Sequence, residues 1–205
     1  MLLVFVRAPW AGHVKTRLAS AIGSQAALRV YRRLAEHTLA EARALEAEGV
    51  EVRIHHAPSG AGDDVRAWLG QGPVYLPQAE GDLGVRMRDA FERAFADGAD
   101  QVVIVGSDLP ALSASLLRRA FGLLDESSAV LGPARDGGYW LLGMRQMIGG
   151  VFDGIRWSTP DVLAATLDRL RAADVHPAML ETLADVDEVG DLPPGWADEA
   201  TAGDR

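Results

Sequence analysis

The sequence predicts a single α/β domain in which helices cover both faces of a mostly parallel β-sheet. Segments with the apolar spacing of strands alternate along the chain with segments that have the spacing of helices. The run 102–105 consists only of valine and isoleucine, which is typical of a strand buried on both faces. With 205 residues, 48% of them hydrophobic and 24% charged, the chain is long enough to form one well-buried core.

The first half of the chain is expected to contain three strands and three helical stretches. Leu28, Tyr31 and Ala35 recur at helical spacing in a stretch that is broken near Gly23 and ends at Gly49. The predicted strands are residues 1–6, 50–56 and 74–76, and the later helices are residues 64–69 and 83–96.

The second half is expected to begin with the strand 102–105 and a helix that opens near Ser113. Strands 129–131 and 139–143 follow, joined by a segment whose Asp-Gly pair, 136–137, is a hairpin signal.

A last helix and a last strand are predicted after this hairpin. The helix spans 159–172, with Ser158 or Thr159 as its N-cap and Pro160 in its first turn. The strand spans 175–180. The domain is then expected to end at residue 192.

Composition excludes several classes of protein. There is no cysteine, which rules out a disulfide scaffold and fits the reducing cytoplasm, where we expect the protein to be. The apolar run at the N-terminus is too short for a membrane span. The net charge of −9 argues against nucleic acid as a partner, because that requires a basic face.

The charges are unevenly distributed. Residues 1–33 carry six basic side chains and no acidic one, which suggests a local site for an anion. Residues 185–205 carry seven acidic side chains and one arginine. Because this end is also rich in Pro, Gly and Ala, residues 193–205 are expected to form a poorly ordered acidic tail.

The strand 102–105 ends at Gly106-Ser107-Asp108, followed by Leu109 and Pro110. Pro110 restricts the preceding residue to extended backbone, which would hold Asp108 just beyond the carboxyl end of the strand. Ligands bind at this edge of open α/β sheets. The alternative is that Asp108 only caps a turn before the next helix.

The loop after the first strand contains Lys15, the only lysine among 20 basic residues. A glycine-containing loop that opens a helix offers backbone N–H groups to an anion, and Lys15 and Arg17 would add charge-assisted hydrogen bonds. The spacing is not that of a P-loop, because Gly12 stands only three positions before the lysine and the first glycine is missing. We interpret the loop as a phosphate site, the alternative being a solvated basic turn.

Asp185 and Asp187 follow the last predicted strand and would face the same side of an extended chain. Either carboxylate could lie opposite Asp108 across a cleft. Two carboxylates about 4 Å apart repel by about 4 kcal/mol at an effective dielectric of 20, so this arrangement requires a cation. Mg²⁺ or Mn²⁺ would serve. Alternatively, these acids only begin a soluble tail.

Two glycine-containing segments are weaker candidates for substrate binding. Asp136 and its neighbours are first of all a hairpin signal, although Asp136 and Tyr139 could also contact a ligand. Asp82 stands between glycines before a helix, where it could cap the helix or line a substrate loop. The five histidines have no metal-site spacing, no hydrolase motif is present, and Trp157 is interpreted as a packing residue.

The chain resembles a bacterial family of uncharacterised GT-A-type transferases, relatives of the nucleotide-diphospho-sugar transferases, some of which carry the name glycosyltransferase. The resemblance covers residues 1–192. Five motifs carry it: Arg-Ala-Pro-x-x-Gly-x-Val-Lys-Thr-Arg-Leu at 7–18, Gly-Asp-Leu-Gly-x-Arg-Met at 81–87, Gly-Ser-Asp-Leu-Pro at 106–110, Gly-Pro-Ala-x-Asp-Gly-Gly-Tyr at 132–139 and Trp-Ser-Thr at 157–159.

This resemblance, which extends to molybdopterin and phospholactate guanylyltransferases, implies a GT-A-like, Rossmann-like α/β/α sandwich. It implies Asp108 and Asp187 as metal ligands, although Glu188-Val189-Gly190 replaces the Thr-Pro-Glu of those enzymes and leaves Asp185 as an alternative. The candidate catalytic residues are Lys15 and Asp108. The candidate nucleotide-binding residues are Arg7, Gly12, Lys15, Thr16, Arg17 and Ser107. The candidate substrate-binding residues are Gly81, Asp82, Arg86, Asp136, Gly137, Gly138 and Tyr139.

The leading functional hypothesis is metal-dependent nucleotidyl transfer from a nucleoside triphosphate to a small-molecule acceptor. One alternative is glycosyl transfer from a nucleotide-diphospho-sugar, and another is a nucleotide-binding module without catalysis. Neither the base, the acceptor nor the oligomeric state follows from the sequence.

Overall fold

The computed structural model describes residues 1–202, which contain seven strands and seven α-helices. The strands are β1 (Leu2–Arg7), β2 (Val52–Ala57), β3 (Val74–Pro77), β4 (Val102–Val105), β5 (Ala129–Pro133), β6 (Tyr139–Met144) and β7 (Ala178–Met179). The helices are α1 (Thr16–Ile22), α2 (Ser24–Arg43), α3 (Gly62–Leu69), α4 (Leu83–Ala96), α5 (Ala114–Glu126), α6 (Val162–Ala172) and α7 (Trp196–Ala202).

The strands form one sheet in the order β3-β2-β1-β4-β6-β5-β7. Every neighbouring pair is parallel except those that contain β6, which runs antiparallel to both β4 and β5. The prediction of a mostly parallel sheet is therefore confirmed. After β1 the chain builds the sheet towards β3, and from β4 onward it builds the other half, so the strand order reverses between β1 and β4.

The residues of β1 and β4 divide between two hydrophobic cores. Leu2 and Val103 pack in a core with residues of α2, α3 and α5, while Leu3 and Val102 pack in a core with residues of α4 and α6. All four side chains are fully buried. Each such side chain contributes roughly 1.5–3 kcal/mol by leaving water, which holds the sheet between two helical layers.

Two late elements differ from the prediction. Helix α6 begins at Val162 rather than at residue 159, because the Thr159 hydroxyl donates to the carbonyl oxygen of Arg156 instead of capping the helix. Ser158, the other candidate cap, has a left-handed backbone with φ of 61°. The strand expected over 175–180 is reduced to the two residues of β7.

The C-terminal segment is another correction. A poorly packed tail was expected, yet α7 packs against α2, with Ala200 buried beside Ala26, Ala27 and Val30. The Arg33 guanidinium lies 3.9 Å from the centroid of a Trp196 ring. The spacing of Trp196 and Ala200 gives this short acidic segment an apolar stripe that its composition obscures. Residues 203–205 lie outside the described part of the chain.

Within residues 1–202, no helix is both long enough and apolar enough to span a membrane.

Candidate active site

Three chain segments meet at the carboxyl ends of β1 and β4. The loop after β1 leads to Lys15, and the loop after β4 leads to Asp108. The third segment runs from Leu183, which pairs with Ala134, to Val186, whose N–H donates to the carbonyl oxygen of Asp108 over 3.1 Å. The meeting point is the place where the strand order reverses, which is the usual position of ligand sites in open α/β sheets.

Lys15 connects the three segments. Its Nζ donates to Asp108 Oδ2 over 2.9 Å and to Asp187 Oδ1 over 3.0 Å. The lysine side chain is 7% exposed, whereas the two carboxylates are 35% and 45% exposed. The loop therefore directs a buried ammonium group between two carboxylates that face the solvent side of the site.

The backbone of Lys15 lies in the left-handed region, with φ of 47° and ψ of 50°, at the position before α1. For a residue with a side chain, such a conformation costs on the order of 1–3 kcal/mol. The two ion pairs offset this cost, because they need the ammonium group to leave the loop in this direction.

Burial disfavours the charged form of Lys15, but the charges and hydrogen bonds of Asp108 and Asp187 outweigh burial and raise the pKa of the ammonium group above its usual value. Lys15 is therefore fully protonated at neutral pH. The pKa of Asp185 is also raised, first by burial and then by the neighbouring charges of Asp108 and Asp187. The site thus crowds negative charge around one ammonium group.

Asp108, Asp185 and Asp187 each offer a carboxylate oxygen, and these oxygens lie within 4.8 Å of one another. Carboxylate oxygens are the ligands that Mg²⁺ and Mn²⁺ prefer, and such ions take one or two carboxylates and complete their shell with water and phosphate oxygens. The donor set therefore fits a divalent cation. The sequence left Asp185 and Asp187 as alternatives, and the structure brings both to Asp108.

The tips of β1 and β4 are joined by Tyr31 of α2. Its hydroxyl accepts from the Arg7 N–H over 2.6 Å, donates to the Arg7 carbonyl oxygen over 3.2 Å and lies 3.4 Å from the Ser107 hydroxyl. Burial raises the pKa of the Tyr31 phenol. Tyr31 thus acts as a neutral hydrogen-bonding bridge beneath the site.

Two cavities adjoin the carboxylates. The first has a volume of about 860 Å³ and opens beside Lys15. The second, of about 540 Å³, opens between the β5–β6 hairpin and the start of α6. Asp108, Asp187, Arg17 and Trp157 line both cavities, so these residues stand at the boundary between them. Asp185 lines only the second cavity.

A third, smaller cavity of about 280 Å³ continues from the first. It is lined by Trp10 and by residues of the loops that follow β2 and β3, and it shares Arg7, Gln78 and Arg86 with the first cavity.

The structure brings most of the sequence-predicted residues to these cavities. The first cavity is lined by Arg7, Lys15, Thr16, Arg17, Gly81, Asp82, Arg86, Ser107, Asp108 and Asp187. The second is lined by Asp136, Gly138 and Tyr139, in addition to the boundary residues.

Two predicted glycines line neither cavity, and each has a structural reason to be glycine. Gly12 turns the first loop with φ of 79°. Gly137 has φ of 89°, and a Cβ there would lie 2.1 Å from the Pro160 carbonyl oxygen. Gly137 therefore allows the hairpin to approach the segment before α6, and its carbonyl oxygen accepts from the N–H of Leu163 in α6 over 2.9 Å.

Three other predicted residues have structural contacts. Asp82 Oδ1 accepts from the Val85 N–H at the start of α4, and Asp136 Oδ1 accepts from the Gly138 N–H in the hairpin, each over 2.9 Å. The Tyr139 hydroxyl points away from the cavity towards Met87 Sδ, 3.8 Å away, and burial raises the pKa of this phenol. Tyr139 therefore presents its ring, not its hydroxyl, to the second cavity.

Sequence reasoning missed Trp157, Gln78 and Tyr31. The sequence indicates a packing role for Trp157, yet the side chain lines both large cavities while it also packs near Phe152. Gln78 is buried and donates to the carbonyl oxygen of His55 over 2.8 Å. The Trp-Ser-Thr motif was a usable signal for Trp157, whereas Tyr31 looked like any other apolar position of an amphipathic helix.

Comparisons with known proteins identify a family and a shared fold. Residues 38–159 match the model of a family described as an uncharacterized protein conserved in bacteria, DUF2064. No protein of curated function matches the sequence.

A solved structure from Desulfovibrio desulfuricans G20, provisionally named a nucleotide-diphospho-sugar transferase, is similar to the chain with a TM-score of 0.87 and 37% identity. The match covers 92% of this chain and 82% of that one.

Two more distant structures share the fold. A CMP-2-keto-3-deoxy-manno-octonic acid synthetase, solved with CTP, has a TM-score of 0.59 and 13% identity over 98% of both chains. Rv0371C from Mycobacterium tuberculosis H37Rv, solved with manganese, has a TM-score of 0.53 and 18% identity over 93% of this chain and 94% of that one.

Proposed function

The chain belongs to the DUF2064 family of bacterial proteins, and we propose that it is a metal-dependent nucleotidyltransferase that acts on a nucleoside triphosphate and a small acceptor. The observation that carries this proposal is the contact of Lys15 Nζ with both Asp108 and Asp187 at the strand-order reversal. An ammonium group and a set of carboxylates at one point are what a cation-bound triphosphate requires from a protein.

Asp108 and Asp187 would hold Mg²⁺ or Mn²⁺, because they line both cavities and so face donor and acceptor alike. When bound, the cation would neutralise the carboxylates and the charge that develops on the phosphates. The manganese complex of Rv0371C, a protein of the same fold, supports this choice of ion.

Lys15 and the cation would compete for the same carboxylate oxygens. We therefore expect the ammonium group to leave Asp108 and Asp187 when the cation binds and to pair with the triphosphate instead. Arg17 is 72% exposed and lies 3.7 Å from Asp187 in a weak ion pair, so it can contact the phosphates as well. The volume of the first cavity, about 860 Å³, is within the range of sites for nucleotide-sized ligands.

The reaction would join the acceptor to the α-phosphate. The oxygen of the acceptor hydroxyl forms a bond to the α-phosphorus, the bond from that phosphorus to the β-phosphate oxygen breaks, and pyrophosphate leaves with the electron pair. Lys15 and Arg17 would stabilise the charge on the pyrophosphate. Asp185, which alone of the three aspartates faces only the second cavity, would take the proton of the attacking hydroxyl.

Glycosyl transfer from a nucleotide-diphospho-sugar is the second candidate. The name of the Desulfovibrio protein, at 37% identity, favours it. In that reaction the diphosphate is the leaving group, so the cation would still be needed but Lys15 would have less to do. A binding module without catalysis is the third candidate and has no observation in its favour.

The first prediction separates these candidates by calorimetry. We expect wild-type protein to bind at least one of the four nucleoside triphosphates in the presence of Mn²⁺. Lys15→Ala should weaken that binding at least tenfold, because a hydrogen bond to a charged group contributes about 1.5–3 kcal/mol. Nucleotide-diphospho-sugars should bind less tightly.

Arg118→Ala is the control, since Arg118 is an exposed arginine of α5 that pairs with Glu48 away from both cavities. Tight binding of a nucleotide-diphospho-sugar that is indifferent to Lys15 would contradict the proposal and support glycosyl transfer. Triphosphate binding that is unaffected by Mn²⁺ or by Asp108→Ala would count against both enzymes.

A further inference from the structure

The two large cavities differ in charge. Of the described residues that line the first, Arg7, Lys15, Arg17 and Arg86 are basic, besides His13, against the acidic Asp82, Asp108 and Asp187. Of those that line the second, Arg17 alone is basic, against four aspartates. Arg17 stands at the boundary and already pairs with Asp187.

The excess of negative charge in the second cavity would persist after a divalent cation has bound. Such a cation would neutralise Asp108 and Asp187, which lie at the boundary. Asp136 and Asp185 line the second cavity alone and have no further cationic partner among the described residues that line it. A phosphate or carboxylate group in this cavity would therefore meet like charge.

The other walls of the second cavity are aromatic or apolar. They include the ring of Tyr139, the indoles of Trp140 and Trp157, and the side chains of Pro160 and Val162. Carboxylate oxygens accept hydrogen bonds, so Asp136 and Asp185 favour O–H or N–H groups on a ligand. Flat aromatic rings beside such acceptors suit a compact ligand with hydroxyl groups on one side and C–H groups on the other.

We propose that the second cavity binds an acceptor that is rich in hydroxyl groups and carries no phosphate or carboxylate. This inference rests on the proposed function, since it identifies the second cavity as the acceptor side of the site. It restricts the acceptor to compounds without an anionic group, such as polyols and sugars, and it makes Asp136 a determinant of that specificity.

The test uses matched pairs of neutral and phosphorylated compounds: glycerol and glycerol 3-phosphate, ribose and ribose 5-phosphate, and glucose and glucose 6-phosphate. Binding of each is followed by ligand-observed NMR, with and without Mn²⁺ and a non-hydrolysable analogue of the triphosphate that binds best. The neutral member of at least one pair should bind at least tenfold more tightly than its phosphorylated partner. Because binding rather than turnover is measured, this result does not depend on which transfer reaction the protein performs.

Variants of Asp136 make the test specific. Asp136→Arg should reduce or reverse the preference within the pair, and the milder Asp136→Asn should weaken binding of the neutral member if the arginine variant does not fold. Asp168→Arg is the control, because it makes the same change of charge at an exposed residue of α6 that lines neither cavity.

Phosphorylated members that bind as tightly as the neutral ones, the absence of any neutral ligand in the panel, or a preference that Asp136→Arg leaves unchanged would overturn the inference. Failure of the proposed function would look different. In that case triphosphate binding would be missing or independent of Lys15, whatever the outcome for the paired compounds.

Discussion

Two residues of this protein, Lys15 and His55, are held in energetically unfavourable conformations or surroundings. Lys15 has a left-handed backbone, and its buried ammonium group is held by Asp108 and Asp187. His55 is 1% exposed on β2, stacked on Phe5 with a centroid distance of 5.6 Å, and its Nδ1 is buried without a hydrogen-bond partner among residues 1–202. Such residues make stability depend on charge state.

The second prediction concerns the pH dependence of stability. Burial, and then the positive charges of Arg93 and Arg53, lower the pKa of His55 from 6.5 to about 4. A neutral His55 therefore contributes stability that is fully present above pH 6.5 and is lost as the pH falls towards 4. The slope is about 1.4 kcal/mol per pH unit, so the free energy of unfolding should fall by about 2 kcal/mol more in wild type than in His55→Leu between pH 7 and 5.

Urea unfolding at several pH values measures this difference. His176→Gln is the control, because it replaces an exposed histidine. Parallel pH profiles for wild type and His55→Leu would show that His55 is not the buried neutral group described above.

Residue types and the ends of strands were enough to predict that Lys15 and Asp108 lie in loops beyond the carboxyl ends of strands. Lys15 and Asp108 each follow a strand of a parallel sheet, and the carboxyl ends of such strands share one edge. Trp157 and Tyr31 could not be assigned in this way, since their contacts with the site depend on how helices pack across the sheet. The local sequence around an aromatic residue does not distinguish a core position from one that also borders a cavity.

At the scale of elements, α4 illustrates how packing of a helix shapes the site. Its N-terminus is capped by Asp82, and Gly84 in its first turn lies directly against the indole of Trp157. A Cβ at position 84 would lie 2.5 Å from Trp157 Nε1. The helix can therefore approach the boundary between the two cavities only if this residue has no side chain.

The third prediction compares two glycines in helices. Gly84→Ala should lower the free energy of unfolding by roughly 1–3 kcal/mol, because Trp157 or α4 must move to accept the new methyl group. A Cβ at Gly122 in α5 would meet no atom within 4 Å. Gly122→Ala should therefore raise the free energy of unfolding by roughly 0.5–1 kcal/mol, because alanine has the higher helix propensity. Chemical denaturation measures both, and equal stability of Gly84→Ala and wild type would contradict the described packing.

The boundaries of most elements followed from apolar spacing, including α4, whose residues 83–96 were predicted without error. The exceptions were elements whose ends depend on local hydrogen bonds. Thr159 offered a plausible N-cap in sequence, but its hydroxyl bonds to Arg156 in the turn before α6. The preference of a residue type for capping does not reveal which backbone group its side chain will reach.

At the scale of the whole molecule, the C-terminal helix α7 packs in the same hydrophobic cluster as the segment that carries Asp185 and Asp187. Val186, which is fully buried between the carboxylates Asp185 and Asp187, shares one hydrophobic cluster with Leu18 of α1 and Ala200 of α7. Trp196 packs against the same cluster. The acidic composition of this end hid its structural role, because only a few apolar residues carry the packing.

The fourth prediction tests this connection. Trp196→Ala should lower the free energy of unfolding by roughly 1–3 kcal/mol, less than the cost for a fully buried tryptophan. It should also accelerate hydrogen exchange of the Val186 N–H, which donates to the Asp108 carbonyl oxygen, by about tenfold. Val74→Ala, at a 45% exposed residue of the edge strand β3, is the control. Unchanged hydrogen exchange of the Val186 N–H in Trp196→Ala would show that α7 does not stabilise this segment of the site.

The fifth prediction, and the most direct test of the proposal, is the affinity for Mn²⁺ of wild type and Lys15→Met, measured by electron paramagnetic resonance with and without a non-hydrolysable triphosphate. Lys15→Met keeps an apolar stem but removes the charge that occupies the carboxylates. It should therefore bind Mn²⁺ alone about tenfold or more tightly than wild type, since the lost hydrogen bonds to charged groups contribute about 1.5–3 kcal/mol each. The gain in Mn²⁺ affinity that the triphosphate produces in wild type should shrink in the variant. The proposal is that Lys15 leaves the carboxylates and pairs with the phosphates when the cation binds. Equal Mn²⁺ affinities and an equal effect of the triphosphate in both proteins would contradict it.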